Sequence, residues 1–334
     1  MDTEKNPQVE ARVFRASVGP HISSGESVPH IMWTVSAALL PAAGLSIYYF
    51  GLPALSVLVL SIVSAIVFEA LAQKLAGAKI TISDGSAILT GLLLGMNLPA
   101  SVPFYLPVIG SAVAVIITKQ LFGGLGYNIF NPALIGRAFL MASFPRFMTT
   151  WPLPQGSLSL ARPDAVTGAT PLGILKEEGY RKLLSHFASR HDMYVQLLLG
   201  HRGGAMGETG IVALLFGAAY LLYKGYITWH IPVTFIATVA VLTAVFGGDP
   251  WLAMLSGGLV LGAFFMATDY VTVPQLKRAQ VAFGLGCGII TALIRLEGGY
   301  PEGVCYAILL MNCFTPLLDR AFKAKKFGEA SAKA

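Results

Sequence analysis

One stretch of the chain occurs twice: Asn128-Ile129-Phe130-Asn131-Pro132 precedes Arg137-Ala138-Phe139, and Asn312-Cys313-Phe314-Thr315-Pro316 precedes Arg320-Ala321-Phe322. A second parallel lies upstream of each copy, Gly91-Leu92-Leu93-Leu94-Gly95 and Gly258-Leu259-Val260-Leu261-Gly262. Chance is the alternative explanation, because glycine and leucine recur in any apolar chain. The Asn-x-Phe-x-Pro match is harder to obtain by chance, although its spacing to Arg-Ala-Phe differs by one residue. The two copies therefore predict an internal repeat.

The composition indicates a membrane protein. Of 334 residues 55% are hydrophobic and 12% are charged, whereas a soluble domain has about 25% charged residues. The mean hydropathy is +0.67. The net charge of +6 is typical of basic residues kept on the cytoplasmic side of a membrane, so nucleic acid is not an expected partner. The first eight residues are polar, and they do not resemble a signal peptide.

The apolar segments predict an all-α polytopic membrane protein with about ten transmembrane helices, several of them short or broken. Their approximate ranges are 30–50, 53–76, 84–98, 103–121, 133–144, 211–223, 229–246, 251–268, 280–295 and 301–318. The short run 193–200 is not counted, because counting it would place the basic tail outside. The repeated unit recurs after an odd number of spans, so the two halves should form an inverted repeat of five plus five helices.

This count predicts five regions. They are a cytoplasmic N-terminal segment (1–29), a first repeat (30–144), an extracytoplasmic loop (145–210), a second repeat (211–318) and a basic cytoplasmic tail (319–334). Within the loop, residues 174–190 alternate leucine and phenylalanine with basic residues, the pattern of a helix lying on the membrane surface. Both termini are expected in the cytoplasm of a bacterial cell, with the protein in the cytoplasmic (inner) membrane.

The polar loop contains Arg162-Pro163-Asp164-Ala165-Val166-Thr167-Gly168-Ala169-Thr170-Pro171-Leu172-Gly173. Thr170 stands before Pro171 and is therefore expected at a helix entrance. Local physics alone favours an ordinary helix N-cap. The capping box is incomplete, because Gly173 stands where Glu or Gln would reach back. A hydroxyl so placed can be esterified, and helix N–H groups would favour a phosphate beside it.

The stretch Thr167-Gly168-Ala169-Thr170 resembles the [S/T]GAT signature at which a flavin transferase joins FMN to threonine. Together with Asp164-Ala165-Val166, Pro171-Leu172 and the apolar pattern over residues 83–322, it resembles the RnfD/NqrB family. The resemblance implies that Thr170 carries FMN through a phosphoester, with Thr167, Gly168, Ala169 and Asp164 contributing to the site. It also implies a noncovalent riboflavin and, as partners, the Rnf subunits A, B, C, E and G and the maturing flavin transferase.

Polar residues within apolar segments are candidates for function, because they are costly in a bilayer. Asn128, Asn131 and Asn312 are the best candidates for a membrane site, since they are expected to flank irregular backbone where broken segments face each other. The other candidates are Glu69, Asp84, Asn97, Lys119, Arg137 and Asp269. Of these, Glu69, Lys119 and Asp269 are expected at the membrane interface. No metal site and no catalytic cluster is predicted, and Cys287, Cys305 and Cys313 lack metal-ligand spacing.

Together these features predict a subunit of a redox-driven ion pump that carries electrons on covalent FMN. A transporter or channel without a redox role fits the membrane portion equally well. An NqrB-like subunit of a sodium-pumping NADH:quinone oxidoreductase is a closer alternative, but that family tends to have a longer N-terminal extension. The sequence does not distinguish sodium from proton as the pumped ion.

Overall fold

The computed structural model describes residues 26–154, 167–200 and 202–322. Asp164, the N-terminal segment up to residue 25 and the basic tail from residue 323 lie outside these ranges. The first half contains α1 Val28–Leu75, α2 Ser86–Met96, α3 Tyr105–Ala112, α4 Pro132–Ser143 and α5 Pro145–Met148. A central segment contains strands β1 Trp151–Pro152 and β2 Thr167–Gly168 and helices α6 Pro171–Glu178, α7 Tyr180–Ser185 and α8 Arg190–Leu199. The second half contains α9 Ile211–Lys224, α10 His230–Val245, α11 Pro250–Leu255, α12 Leu259–Leu261, α13 Lys277–Leu296 and α14 Val304–Ala321.

Three of the described helices, α1, α13 and α14, are long and apolar enough to cross a membrane. Gly51 interrupts α1 with non-helical angles (φ 67°, ψ −149°), and it divides the helix where the first two predicted spans meet. Shorter apolar helices are also present: α2, α4, α9, α10 and the helical stretch Tyr105–Gln120, which continues α3 as a π-helix. The architecture fits an all-α membrane protein, whereas the count of ten spans and the inverted repeat stay predictions.

Left-handed glycines precede or interrupt the third predicted span of each half. In the first half, α2 follows a 3₁₀ turn and Gly85, whose φ of 79° is left-handed. The predicted span over 251–268 is not a single continuous helix. Gly257 and Gly258 adopt φ values of 66° and 64°, and an α-helix cannot continue through left-handed residues. The segment is therefore α11, a break, and α12 continued by the π-helix Gly262–Met266.

Glycines bring helices α10 and α13 into close contact. A Cβ atom on Gly284 would lie 2.9 Å from the carbonyl oxygen of Ile231, and one on Gly288 would lie 3.0 Å from that of Phe235. Small residues four positions apart let two backbones approach where lipid gives no hydrophobic drive between helices. The pairing of α10 with α13 therefore depends on this spacing.

The predicted membrane-surface helix over 174–190 is two helices, α6 and α7, which meet at Gly179 (φ 83°). Its apolar side chains pack within the protein: Leu183 is buried against Met193 and Leu197 of α8 and Leu252 of α11. The sequence pattern correctly indicated one apolar face. The protein's own helices cover part of that face, and the location on the membrane surface stays a prediction.

Candidate functional site

The Thr170 motif is held at its start by the two-residue ladder of β1 and β2. Gly168 pairs with Trp151, and Thr167 pairs with Pro152, in antiparallel register. A Cβ on Gly168 would lie 2.6 Å from a Leu153 methyl group, so the ladder fits closely around a glycine. The pairing fixes where the chain enters Ala169 and Thr170.

Thr170 is the N-cap of α6, as local physics predicts. Its backbone is extended (φ −65°, ψ 151°), and its Oγ1 accepts a hydrogen bond from the backbone N–H of Gly173 at 3.0 Å. A Cβ on Gly173 would stand 3.2 Å from that oxygen, so glycine leaves room around the hydroxyl. An ester oxygen retains lone pairs, and the cap is therefore compatible with a phosphoester on Thr170.

A cavity of about 370 Å³ opens beside Thr170, within the roughly 300–1,000 Å³ typical of small-molecule sites. Its walls include Trp151, Tyr300 and Tyr306. The two tyrosine rings lie 5.5 Å apart between centroids at an interplanar angle of 36°. Ala169 and Thr170 both line the cavity, although Thr170 is only 5% exposed.

A charged pair forms part of the same cavity. The guanidinium group of Arg137, on α4, donates hydrogen bonds to a carboxylate oxygen of Glu302 and to Oδ1 of Asn97, the latter at 2.7 Å. Glu302 precedes α14, so the pair joins the first half of the chain to the second. The cavity is thus lined by Thr170, by aromatic side chains, by the buried pair of Arg137 and Glu302, and by the exposed Glu177.

A second polar cavity, of about 70 Å³, lies among Lys119, Asn128, Asn131 and Asp269. Lys119 and Glu69 were expected separately at the membrane interface, but they form an ion pair inside the protein. Their side chains are 2% and 1% exposed, with 2.7 Å between Lys119 Nζ and Glu69 Oε2. Burial of this kind requires a partner for each charge, and sequence spacing gave no indication of the pairing.

The predicted asparagine site is brought together only in part. Asn131 caps α4 through Ala133 N–H and donates from its side chain to Met266 O at 3.2 Å, linking the two halves. The side chain of Asn128 bonds to Phe130 O. The prediction that Asn312 flanks irregular backbone is wrong, because it lies within helix α14. With its amide oriented by its hydrogen-bonding partners, Asn312 accepts from Asn131 N–H at 3.2 Å.

Sequence reasoning missed most of the residues around Thr170. Tyr300, Glu302 and Tyr306 lie far along the chain, in and after the loop that leads to α14, and no motif marked them. Arg137 was identified only as one polar residue in an apolar helix. The hydrophobic pattern could not reveal which elements meet at Thr170, since it reports burial and not neighbours.

Comparison with known proteins identifies the family of this chain. A profile of the NQR2, RnfD, RnfE family matches residues 15–328. The chain belongs to this family. A relative from Clostridium ljungdahlii, named as the D component of a proton-translocating ferredoxin:NAD(+) oxidoreductase complex, is 52% identical, covering 96% of this chain and 98% of the relative.

Two further family members give the same result. The Acetobacterium woodii protein, named as the D component of a Na(+)-translocating ferredoxin:NAD(+) oxidoreductase complex, is 44% identical over 95% of this chain and 96% of its own length. The Stutzerimonas stutzeri protein, named as the D component of an ion-translocating oxidoreductase complex, is 38% identical over 90% and 92%. The resemblance to the RnfD/NqrB family is therefore confirmed over nearly the whole chain.

Proposed function

We propose that this chain is the D-type membrane component of an Rnf-type ion-translocating ferredoxin:NAD+ oxidoreductase, and that it passes electrons through FMN bound covalently to Thr170. Family membership makes the chain a subunit of an ion-translocating oxidoreductase. The observation that supports the covalent flavin is the cavity beside Thr170, where the motif, the aromatic walls and Arg137 meet. A helix cap of structural value alone would need no such space.

The residues fit FMN in their chemistry. Thr170 Oγ1 would hold the phosphate while it continues to cap α6. The positive end of the α6 dipole would stabilise the negative phosphate, by about 0.3–1 kcal/mol if the site is exposed. That energy is too small to direct attachment, so a flavin transferase must recognise the motif. Tyr300, Tyr306 and Trp151 would provide apolar surface for the ring system.

When bound, FMN supplies the electron transfer, and the protein supplies binding, orientation and electrostatics. The β1–β2 ladder fixes the attachment point, and the aromatic walls exclude water from the ring. The N-cap keeps the hydroxyl at the cavity edge. The chain itself contributes no complete active site to this proposal, because electrons must come from and go to partner subunits.

The proposal extends to a noncovalent riboflavin. Asn128, Asn131, Lys119 and Asp269 give hydrogen-bonding groups around the second cavity. Its volume of about 70 Å³ is well below the 300 Å³ or so of a typical small-molecule site. A flavin would therefore require these walls to separate.

The proposed setting is the bacterial cytoplasmic membrane, with both termini inside and the Thr170 segment outside. The partners would be the Rnf subunits A, B, C, E and G, together with membrane lipid. The names of the relatives include both a proton and a sodium pump, so sequence similarity does not select the ion.

The test uses the full chain expressed together with a flavin transferase. The protein is separated on a denaturing gel, and its peptides are then analysed by mass spectrometry. Wild type should show a fluorescent band under ultraviolet light and FMN on the peptide that contains Thr170. Thr170→Ala should lose both signals, whereas Thr170→Ser should keep some FMN because it retains a hydroxyl. Thr167→Ala keeps the hydroxyl of Thr170 and should retain FMN on this peptide, at a lower level than wild type because residue 167 belongs to the motif that the transferase must recognise.

FMN on the Thr170→Ala peptide would overturn the assignment to Thr170. Wild type without covalent FMN, despite an active transferase, would remove the basis for the electron-carrier proposal and leave the alternative of a transporter without a redox role.

A further inference from the structure

Five charged side chains form a cluster, two of which line the Thr170 cavity. They are Arg137, Arg202, Glu208, Arg295 and Glu302, and each interacts electrostatically with others of the group. Three guanidinium groups face two carboxylates, which leaves one positive charge within the cluster. A buried charge needs a counter-charge or a dense set of hydrogen bonds, so the excess requires an explanation.

Backbone carbonyl groups account for one of the three cations. Arg295 donates to the carbonyl oxygens of Glu302 at 2.9 Å, Ala253 at 2.7 Å and Ser256 at 3.0 Å. Its guanidinium group therefore fastens the break between α11 and α12 to the end of α13. This is a structural role, and it does not neutralise the charge.

The second cation, Arg202, is enclosed. It donates to Glu208 O at 3.2 Å, and its Nε and Nη1 atoms have no partner among the described residues. Arg202 and Glu208 are among the residues that line a cavity of about 10 Å³, close to the space that one water molecule needs. Arg202 does not line the large cavity, so it adds positive potential without contacting a ligand there.

Arg137 is the cation that reaches the large cavity. Its residue is 6% exposed, and Asn97 and Glu302 hold its guanidinium group in place. Glu302 is shared with Arg202 and Arg295, since it interacts with all three cations. The two carboxylates of the cluster are thus outnumbered by its three cations. Among the described residues that line the large cavity, Arg137 is the one cation, and it is accompanied there by its partner Glu302 and by the solvent-exposed Glu177.

We propose that Arg137 and the charge excess behind it stabilise the negative charge of reduced FMN in this cavity. The inference rests on the proposed attachment of FMN to Thr170. Adding two electrons and one proton to the isoalloxazine leaves one negative charge on the ring system, and that charge would compensate the excess in the cluster. Arg137 is a positioning and electrostatic residue here, and partner subunits supply the electrons.

Sulfite provides a readout that does not depend on activity, because it adds to oxidised flavin and leaves the same kind of negative charge on the ring. The probe is sodium sulfite titrated into the full flavinylated chain in detergent, followed by bleaching of the flavin absorbance. Arg137→Gln should weaken sulfite binding by about tenfold or more, which corresponds to about 1.4 kcal/mol. Arg137→Lys should restore much of the affinity.

Glu302→Gln is the matched control. It removes the negative charge of the same pair, so its effect on sulfite affinity should be opposite to that of Arg137→Gln. It should tighten sulfite binding. A merely structural role for the pair would make both variants weaken binding, and that result would overturn the inference. Equal affinity in wild type, Arg137→Gln and Glu302→Gln would overturn it as well.

If Arg137→Gln does not fold, Glu302→Gln still shows whether sulfite affinity rises when a negative charge is removed. Arg137→Lys shows whether another cation at residue 137 maintains that affinity. The denaturing-gel fluorescence of each variant shows whether FMN is attached. Failure of the function proposal, with no flavin on wild type, is thereby distinguished from failure of this inference, with flavin attached and sulfite affinity unchanged.

Discussion

Lys119 and Glu69 form a buried ion pair in which Lys119 Nζ also donates to the hydroxyl of Ser86. The three residues lie on separate elements: the π-helix that follows α3, the second part of α1, and the start of α2. The ion pair and this hydrogen bond therefore connect α2 to α1 and to the π-helix that follows α3.

Removing one partner of this pair should destabilise the protein strongly, because the other charge is left buried. We expect Lys119→Met or Glu69→Gln to cost about 3–5 kcal/mol and to lower the thermal unfolding midpoint of the detergent-solubilised chain. The double variant should lose less than the sum of the two single changes, since it buries no unpaired charge. Additive losses would show that the two side chains are not coupled.

The contact between α10 and α13 predicts a difference between two neighbouring glycines. Gly284→Ala would press a methyl group against the β-branched side chain of Thr234 and the backbone oxygen of Ile231, whereas Gly286→Ala would meet the flexible side chain of Met311. Overpacking against backbone costs about 1–3 kcal/mol. The thermal midpoint should therefore fall for Gly284→Ala and change little for Gly286→Ala. Equal effects of the two variants would contradict this packing.

Asp249 predicts a dependence of stability on pH. Burial raises the pKa of Asp249, but hydrogen bonds from Tyr194, Tyr180 and the N–H groups of Leu252 and Trp251 outweigh it, and the pKa lies below its ordinary value of 3.8. Because the folded-state pKa is lowered, the carboxylate stabilises the fold at any pH above its unfolded-state pKa of about 3.9. This stabilisation is lost as the pH falls through the lower folded-state pKa.

The measurement is limited proteolysis of the α6–α8 segment between about pH 3 and 6, with an acid-active protease. Wild type should become more susceptible to cleavage below about pH 4. Asp249→Asn should be more susceptible at every pH and should lose most of this pH dependence, because it has no carboxylate to protonate. Identical profiles for the two proteins would exclude Asp249 as the titrating group.

Gly173 predicts an effect on flavin attachment. Gly173→Ala should improve helix propensity by up to about 1 kcal/mol, yet its Cβ would crowd Thr170 Oγ1 at 3.2 Å. We expect a severalfold lower ratio of FMN to protein, measured by absorbance after denaturation. Gly44→Ala is the control, because its Cβ meets no atom within 4 Å. Full flavin content in Gly173→Ala would show that the crowding is accommodated.

Topology is tested with single cysteines introduced at Gly156 and Lys325 in a background without Cys287, Cys305 and Cys313. A membrane-impermeant maleimide applied to intact cells should label the first position and not the second, as the charge distribution predicts. Cell lysis should then expose the second position, which serves as the internal control. Labelling of both positions in intact cells, or of neither, would contradict the predicted orientation.

The sequence by itself determined the features that depend on local chemistry. Composition indicated the membrane, the segment boundaries at Gly51 and Gly85 fell where the backbone leaves the helical conformation, and Thr170 before Pro171 gave the N-cap of α6. Each of these follows from a few adjacent residues. The family signature, too, is contiguous, and it was recognised without knowledge of any neighbour.

The tertiary structure alone decided the neighbours. Arg137 with Glu302, Lys119 with Glu69, and Asn131 with Asn312 are pairs distant in sequence, and no spacing rule relates them. The apolar face over 174–190 shows the same limit, because amphipathicity requires a cover for that face but does not say whether lipid or protein provides it. Packing of the whole chain selects these contacts, and with them the walls and charge of the cavity beside Thr170.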